Sequence, residues 1–501
     1  MGNTYPTSVD DIDKHMKSIS TRIFGNRFMP DQTLYEYLIE FLLVFVSAKD
    51  VDLKSGKMRF HDSSDARLEY WIEPRMGLRR FIFYDKARKN GAVQIDEQAY
   101  KEIIKILKGN IAVDSEEEKQ DILDGIQDLL HGYAVVIKKR NWCAQTLLPV
   151  CPEMVLCDAM PKQKYRKGLD WMGDEDKVDT SFDFDKRNFL ARGGEVYYLH
   201  LLQALEKDTD SKEKLEKLLV NLMGGENNKL SKICNLIQDS WESSMNLDKD
   251  ELSEHMKLSF IPEDAYVECG AFSADELINY LSSELPSINK IEVLAKGIMF
   301  QIMRMLSWRV DNYLGTDRKS WIVDMKGGTT DTVKKIAAEN YRNIEDGFMT
   351  ALNQSAREIG IDEHEYMTKL NKAKKSSIDL FRTKGKELQC IIPTNGQFER
   401  FSLSEDVIRF LVLSLVPPKK KMTLNMFLEK LYRHYGIVVG PEEYRHSINE
   451  GNKLEASLSN SFTENVNAFQ AFLKATGFLR ELSDATSIVV NPYNNVLEDE
   501  A

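Results

Sequence analysis

Apolar residues recur at three- and four-residue spacing along most of this 501-residue chain. That period is helical, and it gathers apolar side chains into one stripe of each helix. It is read over residues 95–107, 115–130, 195–205, 212–223, 229–245, 275–283, 288–314 and 331–359. Strand-like alternation is confined to short runs. The expected fold class is mainly α with small β elements. No repeat of fixed period is present, which argues against a regular solenoid.

Residues 34–48 (LYEYLIEFLLVFVSA) are the most apolar stretch and invite a membrane reading. Glu36 and Glu40 interrupt them, and the uncharged part is well short of the ~20 residues a spanning helix needs. A buried core helix is expected instead. The start, residues 1–10, is polar and shows no signal-peptide pattern, so a soluble, cytoplasmic protein is expected. Six cysteines in 501 residues are too sparse for a disulfide scaffold.

A length of 501 residues suggests about three domains. Residues 1–135 read as a mixed α/β N-terminal domain. Within it, residues 67–85 (RLEYWIEPRMGLRRFIFYD) are rich in aromatic and β-branched residues around Pro74 and Gly77, and two short strands joined by a turn are expected. Residues 136–390 read as a helical domain, with an acidic linker at 170–187. Residues 391–501 read as a winged-helix-like domain. Helices are expected at 404–416, 423–435 and 464–476, with Ser404 and Thr423 as N-caps and Gly436 and Gly477 just past two of the ends. Pro441 opens a further turn of helix. Strands at 478–481 and 486–490 then close a hairpin.

That module order suggests contact with double-stranded DNA, for which cations are needed because each neutralised phosphate releases counterions. The net charge of −12 argues against non-specific coating of nucleic acid, so any binding face must be local. The expected nucleic-acid-binding residues are Lys419, Lys420 and Lys421 in the turn between helices, then Arg433, Arg445, Lys474 and Arg480. Lys372 and Lys375 belong to a second basic stretch just upstream and share a helix face at i,i+3 spacing. The competing readings are a solvated helix face and a protein-docking module, since Glu429, Glu442, Glu443, Glu455, Glu464 and Glu481 dilute the positive side.

Enzymatic motifs are sparse. In WIVDMKGG (321–328), Asp324 and Lys326 follow the D/E-x-K pattern of restriction-type nucleases, where a carboxylate holds Mg²⁺ and a lysine activates water. Asp311 and Asp317 are the nearby choices for a second carboxylate, but Asp311 reads as helical and Asp317 lies in a loop only seven residues before Asp324. Cys143, Cys151 and Cys157 are spaced too widely for a zinc site and read as buried thiols in an apolar helical stretch. The eight histidines form no metal-binding pair, and His434 and His446 read as surface or structural residues. No metal and no cofactor is expected, and an enzyme is the lesser alternative.

Three phrases, RFMPDQTLYEYLIEFLLVF, RNFLARGGEVYYLHL and MTLNMFLEKLYRHYGIVVGPEE, with the closing SDATSIVVNP, resemble subunits of multi-gene bacterial anti-phage restriction systems of the phosphorothioation-dependent or methylation-associated type. The resemblance implies work beside an ATPase, a nuclease or a methyltransferase. It carries over no catalytic residue. The expected function is a non-enzymatic DNA-binding or scaffolding subunit of such a complex. The alternatives are a protein-docking scaffold without DNA contact and a Mg-dependent nuclease using Asp324 and Lys326.

Overall fold

The computed structural model describes residues 4–6, 16–26, 28–47, 58–62, 68–72, 75–86, 94–136, 145–156, 193–225, 228–244, 254–263, 267–325, 331–448, 454–483 and 486–497. The acidic stretch at 170–187, Cys143, Cys157 and Lys326 lie outside them.

The described chain is mainly helical with a few small sheets. Its helices are α1 (Ile19–Phe24), α2 (Leu34–Ser47), α3 (Met76–Phe83), α4 (Gln94–Gly109), α5 (Glu116–His131), α6 (Gly193–Leu205), α7 (Thr209–Leu222), α8 (Lys229–Ser244) and α9 (Val267–Ser282). They continue as α10 (Ser287–Leu314), α11 (Asp331–Ile359), α12 (Glu363–Lys375), α13 (Ile378–Glu387), α14 (Glu405–Leu415), α15 (Leu424–Tyr435), α16 (Pro441–Ser447) and α17 (Ala456–Ala475). The strands are β1 (Thr4–Tyr5), β2 (Glu69–Ile72), β3 (Ala134–Val135), β4 (Thr146–Leu147), β5 (Glu254–Lys257), β6 (Ile261–Pro262), β7 (Trp321–Ile322), β8 (Ile391–Ile392), β9 (Arg400–Phe401), β10 (Lys421–Thr423), β11 (Ile437–Val438), β12 (Leu479–Ser483) and β13 (Thr486–Val490).

The core is organised around α10. Pro286 precedes this 28-residue helix and Gly315, in the left-handed region at φ 66°, ends it. Between Lys290 and Asp311 nearly every side chain is buried, because α1, α2, α11, α13 and α14 pack around it. Each large apolar side chain taken out of water there contributes about 1.5–3 kcal/mol. One apolar core runs without a break from Tyr5 to Val489, so helices from all three expected segments share it. The stretch that invited a membrane reading is α2, buried on nearly all sides with Glu36 and Glu40 inside. Among the described residues, no helix is long and apolar enough to cross a membrane.

Two local expectations fail for physical reasons. Residues 69–72 do form a strand, paired with β5, but 76–83 form the helix α3 instead of a second strand. Propensity favours extension there, yet all eight residues are buried and Gly77 lies close against Trp241 of α8, so packing outweighs propensity. The apolar stretch around Cys151 is likewise not an α-helix. It contains β4 and a single 3₁₀ turn, Pro152–Met154, set by its two prolines.

The C-terminal elements follow in the order α14, β10, α15, β11, α16, α17, β12, β13. Thr423 caps α15 by accepting from the Met426 N–H, and Gly436 ends it at φ 70°. α17 starts at Ala456, eight residues ahead of the expected 464. Its buried stripe, Phe462, Asn465, Phe469 and Leu473, contains an asparagine that broke the apolar pattern. The strands β10, β13 and β12 form one antiparallel sheet in that order. β11 leaves this group and pairs in parallel with β7, joining residues 437–438 to 321–322.

Candidate functional site

The expected DNA-binding cations fall into two groups. Lys419, Lys420 and Lys421 are exposed at the turn into β10, and Arg433 is exposed on α15. Register pairs Thr423 with Ile488 and Ile488 with Arg480, so these share one face of the sheet. Alternation along β10 adds Lys421 to that face. None of Lys419, Lys420, Lys421, Arg433 or Arg480 makes an ion pair among the described residues.

Three of the remaining four are already engaged. Lys474 Nζ lies 2.8 Å from Glu481, and Arg445 lies 2.6 Å from Glu442. On the upstream stretch, Lys372 is exposed on α12, while Lys375 lies 3.6 Å from Asp31. Beyond it the cations are held by partners. Arg382 makes a forked contact to Glu345 at 2.8 and 3.0 Å, Lys386 pairs with Glu399 at 3.0 Å, and Lys384 is buried between the Gln32 carbonyl and Glu387. The basic stretch at 369–386 is therefore narrower in space than in sequence.

Of the three carboxylates of the nuclease reading, Asp317 is exposed and the other two are occupied. Asp324 is buried and accepts from Arg400 Nε at 2.7 Å. Asp311 is buried in α10 and holds both the amide and the ammonium of Lys319, at 2.9 and 2.6 Å. Among the described residues no group of three histidines, cysteines or carboxylates is placed to hold a metal ion. Cys151, Cys234 and Cys390 are buried free thiols, and burial pushes the Cys390 thiol up to about 12.

A polar cluster that no sequence spacing announced lies where α6, α9, α10 and α15 meet. Glu276 on α9 is 1% exposed and Arg304 on α10 is 1% exposed, and two N–O contacts of 3.3 and 3.4 Å join them. Arg304 also donates to the Ser273 hydroxyl at 2.7 Å and to the His434 carbonyl at 2.5 Å, with its guanidinium over the Tyr435 ring. Gln301 donates to Glu276 at 2.6 Å. His434 Nδ1 lies 3.0 Å from Glu276, and its ring stacks on Phe272 with centroids 4.1 Å apart. Burial alone raises a carboxyl pKa, but Arg304, His434 and Gln301 outweigh it and hold Glu276 below the ordinary carboxylate range. Behind the cluster His200, fully buried and near Arg304, is pushed down to about 3 and bonds Ser273 as a neutral ring.

This cluster backs a cleft of about 280 Å³ between α7, α9, α14 and α15, lined among others by Lys214, Asp275, Glu276, Ser414, Lys430 and His434. Burial, then the charges of Asp208 and Glu276, raise the Asp275 carboxyl above its ordinary value. The one sequence signal for the cluster is Arg304 itself, a cation inside QIMRMLSW, which has to find a partner if the helix is buried.

No family model matches the chain, and no curated protein and no solved structure matches it.

Proposed function

We propose that this protein is a non-enzymatic subunit of a bacterial anti-phage restriction complex, touching duplex DNA through a winged-helix-like C-terminal module and docking partner subunits through its helical body. The observation that carries the DNA part is the strand order β10-β13-β12 with α14, α15 and α17 ahead of the β12-β13 hairpin, Lys421 and Arg480 on one face of that sheet and Lys419 and Lys420 at its edge. In a winged helix the helix before the hairpin enters the major groove. That helix is α17, which exposes Ser457, Asn460, Thr463 and Asn467. Amide and hydroxyl groups of this kind read base edges, while the lysines and arginine of the sheet supply phosphate contacts. The defence assignment, with an ATPase, a nuclease or a methyltransferase as partner, rests on the phrases of the sequence alone.

Binding of a short fluorescent duplex by the full-length chain, followed across a salt series, tests the reading. Phosphate contacts from Lys419, Lys420, Lys421 and Arg480 give a log–log salt slope of about −3 to −4, at roughly −0.9 per contact. Absence of binding at low salt overturns it.

A second reading, a protein-docking module, is favoured by the pairing of Lys474 with Glu481 and Arg445 with Glu442, which takes two cations out of the surface. Co-purification with a stoichiometric protein partner and no retained DNA marks that outcome.

A further inference from the structure

The cleft between α7, α9, α14 and α15 is independent of the sheet face assigned to DNA. Ser414, on the last turn of α14, lines it, is 1% exposed, and carries a hydroxyl with no hydrogen-bond partner among the described residues. A polar atom shut away from water without a partner is costly, and one that lines a cleft can be completed there by a ligand atom. Two lysines and a histidine line the cleft around that hydroxyl. Lys430 and His434 reach it from one face of α15, four residues apart, and Lys214 stands at its mouth on α7. The carboxylate beneath, Glu276, is bound by Arg304 and Gln301, so it presents no uncompensated negative charge. Its hold on His434 Nδ1 keeps the imidazole fixed, with Nε2 left to meet a ligand.

We propose that this cleft binds a small molecule through an oxyanion, either a phosphate or a carboxylate group. Lys430 and Lys214 supply the charge, and Ser414 donates its hydroxyl hydrogen to an anion oxygen. Asp275 faces the same opening. The rest of the molecule therefore presents a hydroxyl or amino donor on that side, because a second anionic group there would meet the Asp275 carboxylate.

Titration calorimetry of the full-length protein with inorganic phosphate, and separately with acetate, tests the proposal against two variants. Binding of phosphate alone assigns a phosphate ligand, and binding of acetate alone assigns a carboxylate. In either case Lys430→Met weakens binding by about tenfold or more, the loss expected for a charge-assisted hydrogen bond. Ser414→Ala weakens it by roughly threefold to tenfold, yet leaves the melting temperature of the ligand-free protein unchanged or raised, because an unsatisfied hydroxyl has gone. That opposition between affinity and stability is not produced by damage to the fold. No heat with either anion overturns the proposal. So does binding of equal strength in the wild type and both variants, which would mark an adventitious surface ion only.

Discussion

Gly297 lies against the ring of Phe410, so close that a Cβ at position 297 would stand 2.7 Å from Phe410 Cγ and nearer still to two other ring carbons. The contact sets the distance between α10 and α14 at the middle of the core. Phe410 is fully buried and packs its other side on Tyr280 at 5.2 Å, so the ring has nowhere to go. Gly297→Ala is therefore destabilising by about 1–3 kcal/mol or more, although alanine is the better helix former by about 1 kcal/mol. Urea unfolding of the variant checks this, and a gain in stability would show that the helices separate freely.

The Glu276–Arg304 pair makes a second prediction. Taking away one partner strands the other charge in the core, so Arg304→Met costs about 3–5 kcal/mol. Adding Glu276→Gln to that variant removes the stranded carboxylate. The double variant is then less destabilised than the sum of the two single changes. A double-mutant cycle by chemical denaturation measures the coupling, and simple additivity would mean that the two groups do not depend on each other.

Glu40 gives the chain a pH dependence. Burial holds its carboxyl at about 7 despite donors from Gly194 and Gln32, against an ordinary value of 4.5. A carboxyl with a higher pKa in the folded chain binds its proton more tightly there. Its contribution is thus fully kept below pH 4.5 and declines as pH rises through about 7. The loss over that window is on the order of 3 kcal/mol. Glu40→Gln keeps the shape and has no proton to lose, and Gln32, whose side-chain oxygen lacks a partner, accepts from the new amide by turning its own. The variant is expected to match the wild type near pH 5 and to exceed it near pH 8. Parallel stability profiles from pH 5 to pH 8 would contradict this.

Asn465 joins the C-terminal elements to the rest. Its amide donates to the Val323 and Val439 carbonyls, both at 2.9 Å, and its oxygen accepts from the Met325 N–H at 2.8 Å. Asn465→Ala leaves three buried main-chain groups unpaired, at about 1–3 kcal/mol each before water enters. Hydrogen exchange at the Met325 amide is expected to accelerate more than that of amides in α10. Equal acceleration at both would mean that the two regions open as one unit.

How far this was legible in the sequence depends on the range of the interaction. Helix ends with local chemistry were readable: Ser115 caps α5 through the Glu118 N–H, and Thr423 and Gly436 bound α15. Local propensity misled at 76–83, where burial against Trp241 overrode it, and at 456–463, where Ser and Asn hid an amphipathic helix. The pairing of β7 with β11 had no local signal at all, because two-residue parallel strands at 321 and 437 carry no turn between them. The same holds for the cleft. Glu276, Arg304 and His434 come from three separate helices, and nothing in their spacing brings them together. The expected cations are legible in the sequence as residues, but their pairing is not, since ion pairs such as Lys474–Glu481 are visible only in space.

The central claim is that the sheet face of the C-terminal module meets a polyanion. Duplex-binding isotherms of the full-length protein at several salt concentrations, compared with those of a Lys419→Glu, Lys421→Glu, Arg480→Glu variant of unchanged circular dichroism, test it most directly. The account predicts weaker binding by the variant and a salt slope shallower by about 3, at roughly 0.9 for each lost contact. Identical affinity and slope for the two proteins would contradict it.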